Sequence, residues 1–310
     1  MQINIENKVG ARFKLVVRKL DGTIARETDW FNNLVLDSGL ARMSVGVATE
    51  FIAVGTGNST PVVGQTGLDN LLAFSSSVIA SNSGNQLSTS PRYIWAQATY
   101  RFAAGTATGN ISEVGFGWTV GSSKNNMFNR ALIKDMGGSP TTITVLSDEV
   151  LDVVAELRHY PAESSSGVLE LKNKAGATIS THTVKGKFLV IGGSSYMQLG
   201  RVAILGSYAD IVVYGSALPS DFTSEPAFPR FQLESGSGIT TTYPIPTKMV
   251  SKVVLKLNEA NMSHRTITYN ISGLLSNGVV YACETTPPII KNGSQELTYT
   301  VELTWGRYTA

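Results

Sequence analysis

Apolar and polar residues alternate with a period of two over several long runs of this chain, and that spacing predicts strands with one buried face. Leu151, Val153, Ala155 and Leu157 point one way, and Asp152, Glu156 and Arg158 the other. Ile94, Ala96, Ala98, Tyr100 and Phe102 alternate in the same way with Trp95, Gln97, Thr99 and Arg101. Phe13, Leu15 and Val17 alternate with Lys14 and Arg18 in a first strand. In the last strand Leu297, Tyr299, Val301, Leu303 and Trp305 oppose Thr298, Thr300, Glu302 and Thr304. That last run mirrors Leu151–Arg158, so the two are expected to pair.

Turn signals separate these runs. Asp21-Gly22 predicts a tight turn into a return strand over Thr23–Thr28, and Asn277-Gly278 and Asn292-Gly293 read as hairpin turns. Helical signals are few and short. Asp37 or Ser38 is placed to cap a helix that buries Leu40 and Met43, and Thr66-x-x-Asp69 resembles a capping box over Leu68–Ala73. Ser75–Ser90 reads as a polar loop. Gly55–Pro61 is Gly-rich but lacks the lysine and long helix of a phosphate cradle.

The predicted class is mainly β: an antiparallel β-sandwich or jelly-roll-like core with few short helices and an inserted β-subdomain. The texture changes after Pro161, where a Ser-rich stretch leads into short Gly-rich strands over Val168–Tyr214 and then Ala217–Phe228. The expected division is therefore a discontinuous core of residues 1–161 plus 229–310, with 162–228 inserted.

Composition narrows the function classes. Of 310 residues 15% are charged, well under the roughly 25% usual for soluble domains, and the 30 glycines suit turns more than helices. A net charge of +2 with scattered Lys and Arg predicts no nucleic-acid ligand. No apolar run reaches the length of a membrane span, and no secretory leader is apparent, so no membrane insertion and synthesis in a cytoplasm are expected. The single cysteine, Cys283, and the dispersed His159, His182 and His264 suggest no disulfide framework, metal site or cofactor.

The best catalytic candidates are Asp148, Glu149, Asp152 and Glu156, because glycoside hydrolysis needs facing carboxylates. Asp152 and Glu156 lie four residues apart on one strand face, roughly 13 Å at the strand rise. That is too far for a catalytic pair, and a solvated face with Arg158 as ion-pair partner is the expectation. No nucleophile elbow is present, and no catalytic residue is assigned. Trp95, Trp118, Tyr196, Tyr208 and Tyr214 are the candidate interaction surface, as a sugar-stacking platform or, in preference, as core or interface anchors.

ISEVGFGW, MFNRALIKD and TTITVLSDEVLDVVAELRHYP, preceded by WFNNLVLDSGLARM and IAVGTGNSTPVVGQTGLDNLLA, resemble in order and spacing a family of tailed-bacteriophage virion proteins. The likeness spans about residues 10–161, and residues 162–228 carry no matching motif. It implies a non-enzymatic particle component of the tail or a tail appendage (fibre or baseplate-associated), with other virion proteins and further copies of the chain as partners. Alternatives are a collar or capsid-decoration protein and, in another class, an adhesin binding a host-surface glycan through Val168–Tyr214.

Overall fold

The computed structural model describes residues 2–45, 49–191, 196–202, 211–233, 238–270 and 274–309. Strands account for 60% of it and helix for 2%. The mainly β, sandwich-like class expected from the alternation is what forms.

The first strand, Gln2–Arg18, runs 17 residues and organises the rest. Ile3, Ile5, Val9, Ala11, Phe13, Leu15 and Val17 are buried, while Asn4, Glu6, Lys8, Arg12, Lys14 and Arg18 lie on the outer face. On one side the antiparallel strand Val150–Tyr160 follows it from Lys8 to Arg18. On the other side the neighbour changes along its length. Leu297–Arg307 runs parallel beside Gln2–Val9, Phe31–Asn32 pairs with Arg12 and Phe13, and Ile24–Glu27 with Val16–Arg18. The resulting nine-stranded sheet runs Ile239–Ile245, Lys248–Leu255, Leu297–Arg307, Gln2–Arg18, Val150–Tyr160, Tyr93–Phe102, Val78–Gln86, with Ile24–Glu27 and Phe31–Asn32 beside Gln2–Arg18 off this path.

Two smaller sheets cover its inner face. One contains Leu34–Val35, Asn129–Leu132, Glu113–Val120, Phe51–Gly55 and Leu71–Ser75, with Ser123–Met127 beside Glu113–Val120. Its Phe116 ring packs 5.5 Å from Phe13 and 6.2 Å from Tyr100. The other runs Ser165–Lys172, Thr178–Val190, Val279–Ile290, Ser263–Asn270, Ile211–Tyr214, Arg230–Leu233. There His264 Nδ1 lies 2.6 Å from the Tyr299 hydroxyl of the large sheet. The main apolar cluster runs through these three of the five sheets among the described residues, each buried large side chain contributing about 1.5–3 kcal/mol. The Trp305 indole N–H donates to Leu40 O at 2.8 Å, tying the last strand to the helix Asp37–Arg42.

Several expectations are corrected by strand pairing. Val150–Tyr160 and Leu297–Arg307 do not touch as partners, because Gln2–Arg18 lies between them. Alternation sets which face of a strand is buried and carries no information on which strand is its neighbour. The 162–228 boundary does not coincide with sheet membership either. Ser263–Asn270 and Val279–Ile290 form the centre of the sheet to which Thr178–Val190 and Ile211–Tyr214 belong. Asn292-Gly293 accordingly joins strands of two different sheets and closes no hairpin.

Local signals were overridden as well. Ser75–Ser90 contains the edge strand Val78–Gln86, which forms a hairpin with Tyr93–Phe102. Leu68–Ala73 is not a helix; the strand Leu71–Ser75, paired with Phe51–Gly55, begins inside that range and runs past it. The helix Asp37–Arg42 starts after Leu36 without a side-chain cap, and Ser38 Oγ donates instead to Met127 O at 3.0 Å. The Asp21-Gly22 turn does form, with Gly22 at φ 88°.

Candidate functional site

The outer face of the large sheet carries the carboxylates singled out in the sequence. Asp152 and Glu156 are only 2% and 3% exposed, so they are not a solvated strand face. The neighbouring strands bring two arginines to Asp152 and one to Glu156, whose second arginine, Arg158, stands two residues on in its own strand. Arg101 donates from Nε and Nη2 to the two oxygens of Asp152 at 2.7 and 2.8 Å, and Arg18 Nε adds a bond at 3.0 Å. Arg12 grips Glu156 with two bonds of 2.9 Å, and Arg158 Nε donates to the same carboxylate at 2.7 Å. The hydrogen bond with Asp152 holds the Arg101 guanidinium above its ordinary pKa. Each acid is engaged by two guanidiniums as an acceptor, a structural arrangement in which neither of these two carboxylates is free to act as a general acid or base. Replacing Glu156 with Gln is expected to cost about 1–3 kcal/mol by depriving two guanidiniums of their shared charge, read as a lowered melting temperature; an unchanged melt would show the pair to be dispensable.

A second charged cluster was missed from the sequence. Glu113 and Arg130 are both fully buried and joined Nε to Oε2 at 2.8 Å. Arg130 also donates to Ser59 Oγ (3.1 Å), Gln65 Oε1 (2.9 Å) and Asp69 Oδ2 (2.6 Å). Glu113 accepts the backbone N–H groups of Gly57, Asp69 and Asn70 at 2.9, 3.1 and 2.9 Å. Together they hold the Gly-rich segment 55–70 against the sheet. A Cβ on Gly55 would come within 2.6 Å of Glu113 Oε1, and one on Gly57 would overlap Asp69 and Glu113. Those glycines serve the approach to a carboxylate, not to a phosphate. The available signal was a charged residue inside each of two apolar runs, Glu113 in ISEVGFGW and Arg130 in MFNRALI.

A cleft opens where Leu297–Arg307 leaves the first strand. Tyr308 N donates to Val9 O at 2.8 Å, and Asn33 N donates to Ala11 O at 3.3 Å, leaving Gly10 as the floor between them. The cavity measures about 650 Å³. Its walls include Tyr160 and Tyr308, stacked at 3.8 Å and 8°, and Tyr93, 5.3 Å from Tyr160. The Arg158 guanidinium lies 4.4 Å over Tyr93, and Arg12 lies 4.3 Å over Trp30. Arg307 Nε donates to Val35 O at 2.7 Å and pairs with Asp37. Across the tyrosine stack a second depression of about 610 Å³ is lined by Glu6, Glu163 and Glu302 as well as Lys8 and Arg92. The first cleft has no carboxylate in its lining.

Of the aromatic residues expected to form one surface, Trp95, Trp118 and Tyr214 sit on three different sheets. Trp95, on Tyr93–Phe102, is half-buried on the outer face of the large sheet, with its ring against Gly84. Trp118 is buried in Glu113–Val120 with the Arg42 guanidinium 5.6 Å over its ring. Tyr214 is buried in the third sheet, donates to Glu225 Oε1 at 2.6 Å, and burial pushes its pKa up to about 12. Trp118 and Tyr214 are thus core residues, because their strands turn those positions inward. Tyr208 and the side chain of Tyr196 lie outside the described residues.

Cys283 is buried and burial pushes its thiol up to about 12. Among the described residues no group of three or more His, Cys, Asp and Glu side chains is arranged to hold a metal ion. Each histidine has a local partner: His159 with Asn7 Oδ1, His182 with Ser180 and Pro287 O, His264 with Tyr299 and Ala260 O. No protein-family model, curated protein or solved structure matches this chain.

Proposed function

We propose that this chain is a structural component of a tailed-phage virion, in the tail or a tail appendage, that assembles with copies of itself and with other virion proteins through its sheet edges. The observation that carries this reading is the chemistry of the outermost strands. Natural sheets guard their edges with charges, proline, bulges or a cover. Val78–Gln86, reading VIASNSGNQ, and Ile239–Ile245, reading ITTTYPI, border the large sheet without a single charged residue, and only the second has a proline. Leu71–Ser75 likewise borders its sheet uncharged. Leu72, Phe74, Val78 and Ile79 are all exposed along this side of the molecule. The border strands of the third sheet, Ser165–Lys172 and Arg230–Leu233, do carry charges. Open, uncharged edges suit strand addition by a neighbouring subunit, and a contact between unlike edges propagates into rings or filaments.

The test is sedimentation of the purified chain over a range of concentrations, with and without Ser81→Lys and Thr242→Lys. Expected are concentration-dependent oligomers for the parent and loss of the larger species for the variants, whose far-ultraviolet dichroism stays unchanged. A parent that remains monomeric throughout would overturn assembly by self-association. Labelling of purified phage particles with an antibody to the chain tests the virion reading directly; particles that bind no antibody before or after tail disruption would sink it.

A further inference from the structure

We infer that the cleft beside the Tyr160–Tyr308 stack is a binding site for a saccharide bearing a carboxylate. This does not rest on the assembly reading. The charge argument comes from the lining: Arg12, Arg130, Lys134, Arg158 and Arg307 border the cavity and no Asp or Glu does. Arg307 is paired with Asp37 and Arg130 with Glu113 and Asp69, so the charge that counts is that of Arg12, Lys134 and Arg158. Glu156 lies behind the wall and accepts from both Arg12 and Arg158. One carboxylate shared by two guanidiniums fixes the orientation of both and leaves positive charge facing the cavity. A planar guanidinium already held in place suits bidentate recognition of a second carboxylate. Lys134, exposed, adds a point charge to the lining.

The saccharide argument comes from the aromatic walls. Tyr308 and Tyr93, both half-buried, line the cavity with one ring face each already taken, by Tyr160 and by Arg158, so what they present is the opposite face and the hydroxyl tip. Such faces accept the C–H side of a pyranose while the hydroxyls meet its polar rim. A volume of about 650 Å³ falls in the usual range of small-molecule sites. An extended peptide is disfavoured because the floor is already paired: Val9 O takes Tyr308 N, Ala11 O takes Asn33 N, and Ala11 N donates to Asn33 Oδ1. No main-chain group there is free to add a strand.

The experiment is calorimetric titration of the full chain with oligogalacturonate, its fully methyl-esterified form and oligoglutamate, with Lys134→Glu and Tyr308→Ala as variants. The expected result is binding of oligogalacturonate, weakened about tenfold or more by esterification and by Lys134→Glu, and weakened also by Tyr308→Ala. Thermal melts identify any variant that fails to fold, and exposed Lys134 keeps the test informative if Tyr308→Ala is unstable. Equal affinity for the ester would overturn the carboxylate assignment. Oligoglutamate bound as tightly as the sugar would overturn the saccharide assignment. No binding at millimolar sugar, or binding unaffected by Lys134→Glu, would overturn the site itself.

Discussion

Arg130→Met is expected to destabilise the protein by about 3–5 kcal/mol, the range for stripping one partner from a buried ion pair. The loss has two sources. Glu113 keeps a buried charge with no cation against it, and Ser59, Gln65 and Asp69 lose the donors that bind segment 55–70 to the sheet. Arg130→Lys recovers only part of the stability, since an ammonium cannot serve four acceptors spread around a planar fork. Glu113→Gln tests the other side: one amide oxygen replaces a carboxylate that accepts three backbone N–H bonds. Chemical denaturation with a matched slope reads all three variants. An Arg130→Met variant within about 1 kcal/mol of the parent would show that the pair is not what holds the segment. Selective proteolysis inside 55–70 at unchanged global stability would instead place the whole effect in local opening.

Acid is expected to weaken the fold well before the carboxylates titrate. Burial holds His159 down at about 3, and burial also lowers His264. In the unfolded chain both imidazoles protonate near 6.5. Above that pH both states carry neutral histidines and the stability is intact. As pH falls below 6.5, the unfolded chain takes up protons that the folded chain refuses, so stability drops by up to about 1.4 kcal/mol per pH unit for each histidine. For His159 the loss continues to about pH 3, where the folded form protonates too. Denaturation midpoints measured between pH 8 and pH 4 check this, and a flat profile would refute it. His159 is also poorly paired: its Nδ1 and the Asn7 Nδ2 have no partner, and only Nε2 meets Asn7 Oδ1. A joint His159→Phe and Asn7→Leu replacement removes two orphaned buried groups, so it is expected to flatten the acid profile at little cost in neutral stability.

Alternation of apolar and polar side chains is a local property, and it determined the strands, their buried faces and the scarcity of helix. The inward sets of Phe13–Val17, Tyr93–Phe102, Val150–Tyr160 and Leu297–Arg307 were legible, because a period of two needs no knowledge of neighbours, whereas the extension of the first strand back to Gln2 was not read. So was the Asp21-Gly22 turn, whose backbone conformation is set by its own glycine. Only the tertiary structure decided what stands beside each strand. The same strand face carrying Asp152 and Glu156 reads as solvated in isolation and is covered once Arg12, Arg18 and Arg101 arrive from strands far away in sequence. Glu113 and Arg130 show the same limit: each is an oddity in an apolar run until strand pairing between Glu113–Val120 and Asn129–Leu132 brings them together. The cleft depends on still more. It exists because Leu297–Arg307 leaves the first strand at Val9 and Phe31–Asn32 takes its place at Arg12. A gap between two partners of a third strand is a property of register, and register is written in no single segment of the chain.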